Sequence, residues 1–512
     1  MRTDLNNLGD LSDAETHADK PALIAVQGDG EAVTLSFAGL DRAARRIAAI
    51  LAARDLARGA RVALLGANSA SYVAAYLGTM RAGLVAVPVN IRLPAAVQAF
   101  ILNDSSASLA FADAENHAAV PDEIPVLALD DTPLDQDAAP DMPAVRPKPG
   151  EGAMVLYTSG STGRPKGVLL SHDGQLWAVR TRAATLTEAA SQRHLAAAPL
   201  YHMNALFATK LALATHGTMV LLPGFTAQGY IAAIGRWRCT ALTSVPTMMA
   251  RVVKESTLLA ATDVSSVRRI TMGSAPQTQA LWDKVRAAFP GVRLICGYGT
   301  TEHGPATFGP HPEGKPTPDL SLGVVLPGNE VRFTGGANED EGVLEVRCPA
   351  VMNLYLNLPE RTRAATHDGF YVTGDVMRRD ADGFVFFVGR ADDMFVCSGE
   401  NVFPGEVERL LERHPLVHQA SVVPVPDEER GQIPVAFVVP KAGAASDEAA
   451  LKRFVLENAL PVMHPRRVFF RSELPLTGTN KIDRAALMRE ARDNLGCCPS
   501  RSALPNGTIA SR

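Results

Sequence analysis

The sequence predicts an α/β protein: a large N-terminal domain of βαβ-containing sheets covered by helices, followed by a small α+β C-terminal domain. Three observations lead there. RVALLGANSASYVAAYLGTMRAGLVAVPVN, starting at Arg61, reads strand, turn, helix, strand, and a helix joining two apolar strands implies that they pair in parallel. RRITMGSAPQTQALWDKVRAAF, ending at Phe289, repeats that grammar, and VRLICGYG adds another buried strand. After about Gly383 the texture shifts to short strands and helices that alternate, the pattern of a smaller domain with its own core.

In chain order, the strand from Arg61 ends at a turn carrying Asn68 and Ser69, and the next strand starts near Val85. The Pro-rich segment AAPDMPAVRPKPGEG, from Ala138, reads as a surface linker before the strand AMVLY. The second βα unit runs as a strand to Met272, a turn over Gly273, Ser274, Ala275 and Pro276, and an amphipathic helix. Past Gly383, EVERLLERH is a helix and ASVVPVPDEERGQIPVAFVVP is two strands joined by a charged turn. A helix over about Asp447 to Asn458 and the strand VFFR follow. The boundary falls near Arg390, giving domains 1–390 and 391–495 and a disordered tail, 496–512.

Composition narrows the function classes. The chain has 512 residues, 46% apolar and 20% charged, with a net charge of −4. That balance gives no field to draw nucleic acid or an anionic membrane. The polar opening MRTDLNNLGDLSDAETHADK lacks the apolar stretch of a secretory signal, and no apolar run approaches the roughly 18 residues of a membrane span. Six cysteines without a CxxC pair fit neither a disulfide framework nor a zinc site, and they suit a reducing cytoplasm.

Four stretches carry chemistry. YTSGSTGRPKGVLLSH, Tyr157 to His172, sets glycines and hydroxyls beside Arg164 and Lys166. Glycines that reach φ > 0 let backbone N–H groups converge on an anion, and Lys166 adds a charge. The spacing is not that of the common nucleotide P-loop, because Gly167 follows Lys166 where a hydroxyl residue is required. GYGTTEHG, Gly297 to Gly304, directly follows a buried strand, and ligands of parallel sheets bind beyond the strands' carboxyl ends. There Glu302 is a candidate Mg²⁺ ligand and Tyr298 offers a flat face to a base. In YVTGDVMRRDADGFVFFVGRADD, Asp375 suits a ribose diol, and Arg390, Asp392 and Asp393 sit at the inferred boundary as either a solvated linker or a hinge. Lys481, in ELPLTGTNKIDR, lies in a polar loop. Taken singly, the first stretch favours an anion loop over a Gly/Ser surface loop, whereas Glu302 reads first as a solvated acid and Lys481 as a solubilising residue.

Taken together, TSGSTGRPKG, YGTTE, YVTGD, GRADD with SGENVFPGEVE, and LTGTNKIDR resemble, in order and spacing, the core motifs of the adenylate-forming superfamily. That superfamily holds acyl-CoA synthetases, adenylation domains of nonribosomal peptide synthetases and beetle luciferases. The likeness runs from about Phe37 to about Leu487. It implies that Thr158, Ser159, Gly160, Ser161, Thr162, Gly163 and Lys166 hold the β- and γ-phosphates of ATP. Thr301 would lie near the α-phosphate and Glu302 would bind Mg²⁺. Adenine would lie between Tyr298, with Gly299 and Thr300 beside it, and the Gly273–Pro276 turn. Asp375 and Arg390 would hold the ribose. Lys481 would reach the carboxylate and the α-phosphate from a mobile C-terminal domain. Rotation about a hinge at Asp392 would withdraw Lys481 and bring the loop of Ser398, Gly399, Glu400 and Asn401 over a thiol tunnel. His202 would stand between that tunnel and the acyl pocket. Asn480 occupies a place where the family usually has glycine.

Within that superfamily the sequence favours a carboxylate–CoA ligase using a small-molecule carboxylic acid, ATP and CoA. An amino-acid enzyme delivering to a carrier protein needs an acid for the substrate ammonium, and Leu200 to Pro223 contains no Asp or Glu. A non-catalytic nucleotide-binding relative is the other alternative, against which every charged position of the chemistry is present. The pocket segments, Tyr201–Thr209, Ser244–Met248, Gly273–Ala275 and Gly297–Ala306, are mostly apolar or small, so an aromatic or medium-chain acid is expected. Lys210 and His216 are read as surface residues in preference to partners for a second carboxylate. A homodimer is the assembly considered.

Overall fold

Strands buried on both faces must be apolar at every position, and the arrangement shows this directly. In the computed structural model, Val62 and Leu64 of the strand Arg61–Leu65 enter one core while Ala63 and Leu65 enter another. Met219 and Leu221 likewise face the first core, and Val220 faces a third. The structure describes residues 2–495, apart from Thr3, Asp29, 132–133, 135–139, 160–163, Gly399, Glu428, Ala445 and 478–481. The expected tail, 496–512, therefore lies outside the described residues, as do Gly160, Ser161, Thr162, Gly163, Gly399 and Lys481.

The chain divides into two units, residues 1–387 and 388–512. Two seven-stranded sheets dominate the first. One runs Leu354–Tyr355, Pro165–Ser171, Gly152–Ser159, Val85–Pro88, Arg61–Leu65, Ala107–Ala112, Val126–Ala128 across its width. It is parallel except where Pro165–Ser171 folds back on Gly152–Ser159 and Leu354–Tyr355 pairs antiparallel beside it. The other runs Arg293–Cys296, Arg269–Met272, Ala241–Ser244, Arg193–Ala196, Thr218–Leu221, Pro21–Val26, Ala32–Ser36, and only its final hairpin is antiparallel. Helices Ala70–Arg81 and Met203–Ala214 contribute to the core that the two sheets share. Ala95–Asp104 backs the first sheet, and Ala227–Trp237 and Gln279–Ala288 back the second.

Both predicted βα units are present. Ser69 starts the helix Ala70–Arg81 by accepting from the Tyr72 N–H at 3.1 Å. Thr278 does the same for Gln279–Ala288. A smaller antiparallel sheet, Glu330–Asn338, Glu341–Arg347, Phe370–Arg379 and Thr366–His367, completes the first unit, and Val385–Arg390 pairs with Phe370–Arg379 as the chain leaves it.

The second unit has its own five-stranded sheet. Its strands are Glu400–Val402, Phe395–Cys397, Gly431–Pro440 and Val417–Asp427 in that order, with Arg467–Phe470 parallel to Gly431–Pro440. Helices Pro404–Glu412 and Glu448–Asn458 cover one core, and Arg484–Leu495 covers another. Asp447 caps the second of these helices through the Ala450 N–H at 2.9 Å.

Candidate active site

The polar, glycine-rich stretch from Thr158 to Lys166 is the tip of an antiparallel hairpin. Thr158 pairs with Lys166 and Ser159 with Pro165, so these residues belong to strands, with 160–163 between them. The apolar alternation of AMVLY and GVLLS drives the pairing and sets both polar residues at one end. Thr158 Oγ1 is buried and has no hydrogen-bond partner. An orphaned hydroxyl opposite a lysine is what an oxyanion site requires before its ligand binds.

Beyond the ends of two neighbouring parallel strands, backbone replaces side chain. Met272 pairs with Cys296, and the chains continue as Gly273 and Gly297. A Cβ on Gly273 would lie 3.0 Å from the Gly297 carbonyl oxygen, so a side chain here would press the two segments apart. Ser274 adopts φ +67°, a strained value for a residue with a side chain. Gly299 is equally confined: its Cβ would sit 2.6 Å from Gly304 O and Pro305 Cα. The turn therefore folds tightly, with the Glu302 N–H donating to Thr300 Oγ1 at 3.2 Å and the Gly304 N–H to Thr300 O at 3.0 Å.

Three tyrosines and two acids cluster beside this turn, and a fourth tyrosine lies at the base of the hairpin. Tyr355 Oη donates to Glu302 Oε1 at 2.9 Å, and Tyr298 Oη donates to Asp375 Oδ2 at 2.6 Å. Tyr371 is buried, with its ring centre 5.9 Å from that of His303. Burial, reinforced by the neighbouring carboxylates, pushes the Tyr298, Tyr355 and Tyr371 phenols up, so each is a donor at neutral pH. The fourth, Tyr157, donates to Asp104 Oδ2 at 2.7 Å at the base of the hairpin. Lys166 Nζ lies 4.6 Å from the centre of the Tyr355 ring. Asp375 is aimed by a bulge in Phe370–Arg379: Gly374 takes φ +72°, and the Asp375 N–H donates to Thr373 Oγ1 at 3.0 Å. Thr301 is half-buried next to Glu302.

His202 precedes the helix Met203–Ala214, half-buried, with its ring centre 4.8 Å from that of Tyr201. Asn68, read from sequence only as a turn residue, fixes this segment. Its Oδ1 accepts from Leu200 N at 2.8 Å, and its Nδ2 donates to Ala198 O and Leu222 O, each at 3.0 Å. Two residues past His202, Asn204 Oδ1 is buried without a partner. His303 stands behind Tyr298 and Tyr371, and burial lowers its pKa to about 4.

In the second unit, Arg390 Nε donates to Asp392 Oδ1 at 2.8 Å. Burial pulls the Asp392 carboxyl up, but the Arg390 guanidinium outweighs that and holds it below its usual value. Ser398, at φ +52°, and Glu400 flank the tight turn between Phe395–Cys397 and Glu400–Val402.

The structure thus joins Lys166, Thr158, Glu302, Tyr298 and Asp375 within the first unit. It adds Tyr355, for which the sequence held no periodic or motif signal, and it gives contacts to Tyr371 and Thr373, which lie within YVTGD but were assigned no role, and to Asn68, read only as a turn residue. One expectation is corrected. Lys210 is not a surface residue: it is 1% exposed, because the helix carrying it is buried all round, and its Nζ donates to Gln175 Oε1 at 2.6 Å. Burial lowers its pKa to about 7. His216 is also mostly enclosed, 3.2 Å from Asp13 Oδ2.

Mg²⁺ prefers one or two carboxylates together with phosphate oxygens and water over an all-protein cage. Glu302 fits that demand. Its Oε1 accepts from Tyr355, and no group of three His, Cys, Asp or Glu among the described residues could hold a metal by itself. No helix among the described residues is long and apolar enough to cross a membrane.

A hairpin bearing hydroxyls and a lysine, with two tyrosine-bonded carboxylates in the same unit, sits in an α/β framework. The chain matches AMP-binding enzymes over residues 12–356 and their C-terminal domain over 406–481, and it belongs to that family. It is 33% identical to a feruloyl-CoA synthase from Amycolatopsis sp over 477 residues, 92% of this chain and 96% of that one. It is 32% identical to a sulfoacetate–CoA ligase from Cupriavidus necator, covering 92% and 95%. ATP-bound MatB from Rhodopseudomonas palustris superposes with a TM-score of 0.84 at 27% identity, covering 95% of this chain and 99% of that one. An anthranilate CoA ligase, AuaEII, bound to anthranoyl-AMP gives 0.84 at 25% identity, covering 96% and 98%.

Proposed function

We propose that the protein is an AMP-forming carboxylate–CoA ligase. A carboxylate oxygen attacks the α-phosphorus of ATP, the bond to the β-phosphate oxygen breaks, and pyrophosphate leaves with the electron pair. The CoA sulfur then attacks the carbonyl carbon of the acyl-adenylate, AMP leaves, and the thiol proton passes to solvent. The carrying observation is the continuous contact from Lys166 through Tyr355 to Glu302, beside the unpartnered Thr158 hydroxyl. A weak nucleophile approaching a polyanion needs placement and positive charge more than a strong base.

In this reading Thr158, Ser159, Lys166 and the residues 160–163 hold the β- and γ-phosphates, and Thr301 faces the α-phosphate. Glu302 holds Mg²⁺, which when bound draws charge from the phosphate oxygens. Asp375 and Arg390 hold the ribose, and adenine lies between Tyr298 and the Gly273–Pro276 turn. Residues 1–390 form the nucleotide- and acyl-binding domain, and 391–495 a mobile domain hinged at Asp392. That domain delivers Lys481 for the first step and the Ser398–Asn401 loop for the second. His202 gates the acyl pocket. The buried, unpartnered Asn204 Oδ1 supports an aromatic or medium-chain acid bearing a hydrogen-bond donor. The relatives named for feruloyl-CoA and indoleacetate agree with an aromatic acid. The same reading places the enzyme in the cytoplasm, and a homodimer is part of it, to be tested by mass in solution.

The test is pyrophosphate release with ATP and Mg²⁺ across aliphatic acids, benzoates, cinnamates, dicarboxylates and amino acids, with and without CoA. Turnover that needs one acid class and rises with CoA is expected. Release indifferent to CoA would transfer the second step to a carrier protein or another acceptor, and silence across the panel would sink the ligase reading.

A further inference from the structure

Tyr355 touches both halves of the phosphate site. It lies in the two-residue strand Leu354–Tyr355, opposite Val168, and the Leu356 N–H donates to Gly167 O at 2.8 Å. Its backbone is thereby stitched to the strand that begins just after the hairpin tip, and its own N–H donates to Thr362 Oγ1 at 2.9 Å. A second stitch ties the same segment to the other loop, for the Met352 N–H donates to Glu302 O at 2.6 Å. The side chain, 4% exposed, then makes two different contacts. Its ring face lies 4.6 Å from Lys166 Nζ, and its hydroxyl is 2.9 Å from Glu302 Oε1.

We propose that Tyr355 is a positioning residue that sets the separation of Lys166 and Glu302, so that the phosphate-binding ammonium and the metal-binding carboxylate meet one Mg·ATP. The inference rests on the ligase reading of the site. Two features of a phenol make this possible. The negative face of the ring attracts a cation without neutralising it, so the contact orients the Lys166 ammonium at no cost to its charge. The hydroxyl fixes one carboxylate oxygen and thereby sets the orientation of the group, as hydrogen bonds to metal-ligating carboxylates do. A carboxylate would cancel the lysine, and an aliphatic side chain would hold neither group.

The two contacts separate by substitution. Tyr355→Phe keeps the face and removes the hydroxyl; Tyr355→Leu removes both. Calorimetric titration of ATP in the absence of any acid or CoA, with and without MgCl₂, reads binding without turnover. Tyr355→Phe is expected to weaken the Mg²⁺-dependent part of ATP binding roughly 10- to 100-fold and to leave Mg²⁺-free ATP binding within about twofold of wild type, its Lys166 contact being retained. Tyr355→Leu is expected to weaken Mg²⁺-free binding as well, by about three- to tenfold. An unchanged Mg²⁺ dependence in Tyr355→Phe overturns the proposal. So does an equal fall of both kinds of binding in that variant, which is the mark of general structural damage. Wild-type protein that binds no ATP would instead sink the ligase reading itself, so the two failures are distinct.

Discussion

Asp375 is held on three sides before any nucleotide arrives. Thr373 Oγ1 accepts from its N–H, Gly374 turns the backbone through φ +72°, and Tyr298 Oη donates to its Oδ2. The residue is 6% exposed. A pre-oriented carboxylate that accepts from ribose hydroxyls contributes about 1.5–3 kcal/mol, the range for hydrogen bonds to charged groups. Asp375→Ala should therefore raise the KM for ATP by roughly 10- to 150-fold. It should also abolish most of the preference for ATP over 2′-deoxy-ATP, which is the sharper readout. A variant that keeps the wild-type ratio between the two nucleotides would remove Asp375 from the ribose. Asp375, Glu302, Lys166 and Tyr298 were legible in the sequence because charged or aromatic residues beside glycines, at strand ends, stand out from a surface or a core. Tyr355 was not. In NLYLNLPERT it is one aromatic in an unpatterned run, and its meaning comes from two partners distant in the chain, Lys166 and Glu302. Asn68 was seen, but only as a turn residue, since nothing local announces that its amide bonds Ala198, Leu200 and Leu222.

At the scale of elements, hydrophobic pattern and caps located the βα units over Arg61–Pro88 and Arg269–Ala288 to within a few residues, because each contains its own strand, cap and helix. Segments whose partners are remote were harder. The polar opening was read only as lacking a signal peptide, yet Leu5, Leu8 and Leu11 are buried in the main core. Asn7 Nδ2 donates to Met80 O at 3.0 Å and Val145 O at 2.7 Å. Gly9 passes so close to the end of the helix Ala70–Arg81 that a Cβ would lie 2.2 Å from Arg81 N and 2.4 Å from Leu77 O. Both are backbone atoms, so neither can swing away. Gly9→Ala should cost about 1–3 kcal/mol, the usual range for overpacking, seen as a lower urea midpoint. All three tryptophans, Trp177, Trp237 and Trp282, lie in the first unit, so their fluorescence follows that unit's unfolding. A midpoint equal to wild type would mean that the opening segment does not dock as described.

For the molecule as a whole, the same docking predicts a sensitivity to acid. His172 is 2% exposed, and its Nδ1 accepts from Leu8 N at 3.1 Å, an arrangement open only to the neutral ring. Burial lowers its pKa to about 4 despite the pull of Glu151 and Asp173, with Arg58 adding to the lowering. His194, in the second large sheet, is held near 3 by burial and by Arg269. An unfolded chain protonates both rings near 6.5, whereas the folded one resists until about 4 and 3. Between those limits the unfolded state binds more protons, so stability rises with pH there and is lost as pH falls from about 6.5. Each ring contributes a slope of up to about 1.4 kcal/mol per pH unit. The loss works on the centre of the first unit, since Leu8 and His172 tie the opening segment to the helix His172–Ala183. Tryptophan-monitored urea unfolding at intervals from pH 7 to pH 4 should show a falling midpoint over this window. His172→Asn, which retains an acceptor but does not titrate, should flatten the curve by about one proton's slope. If the variant and the wild type lose stability in parallel, His172 is not neutral in the folded protein and the acid response has another source.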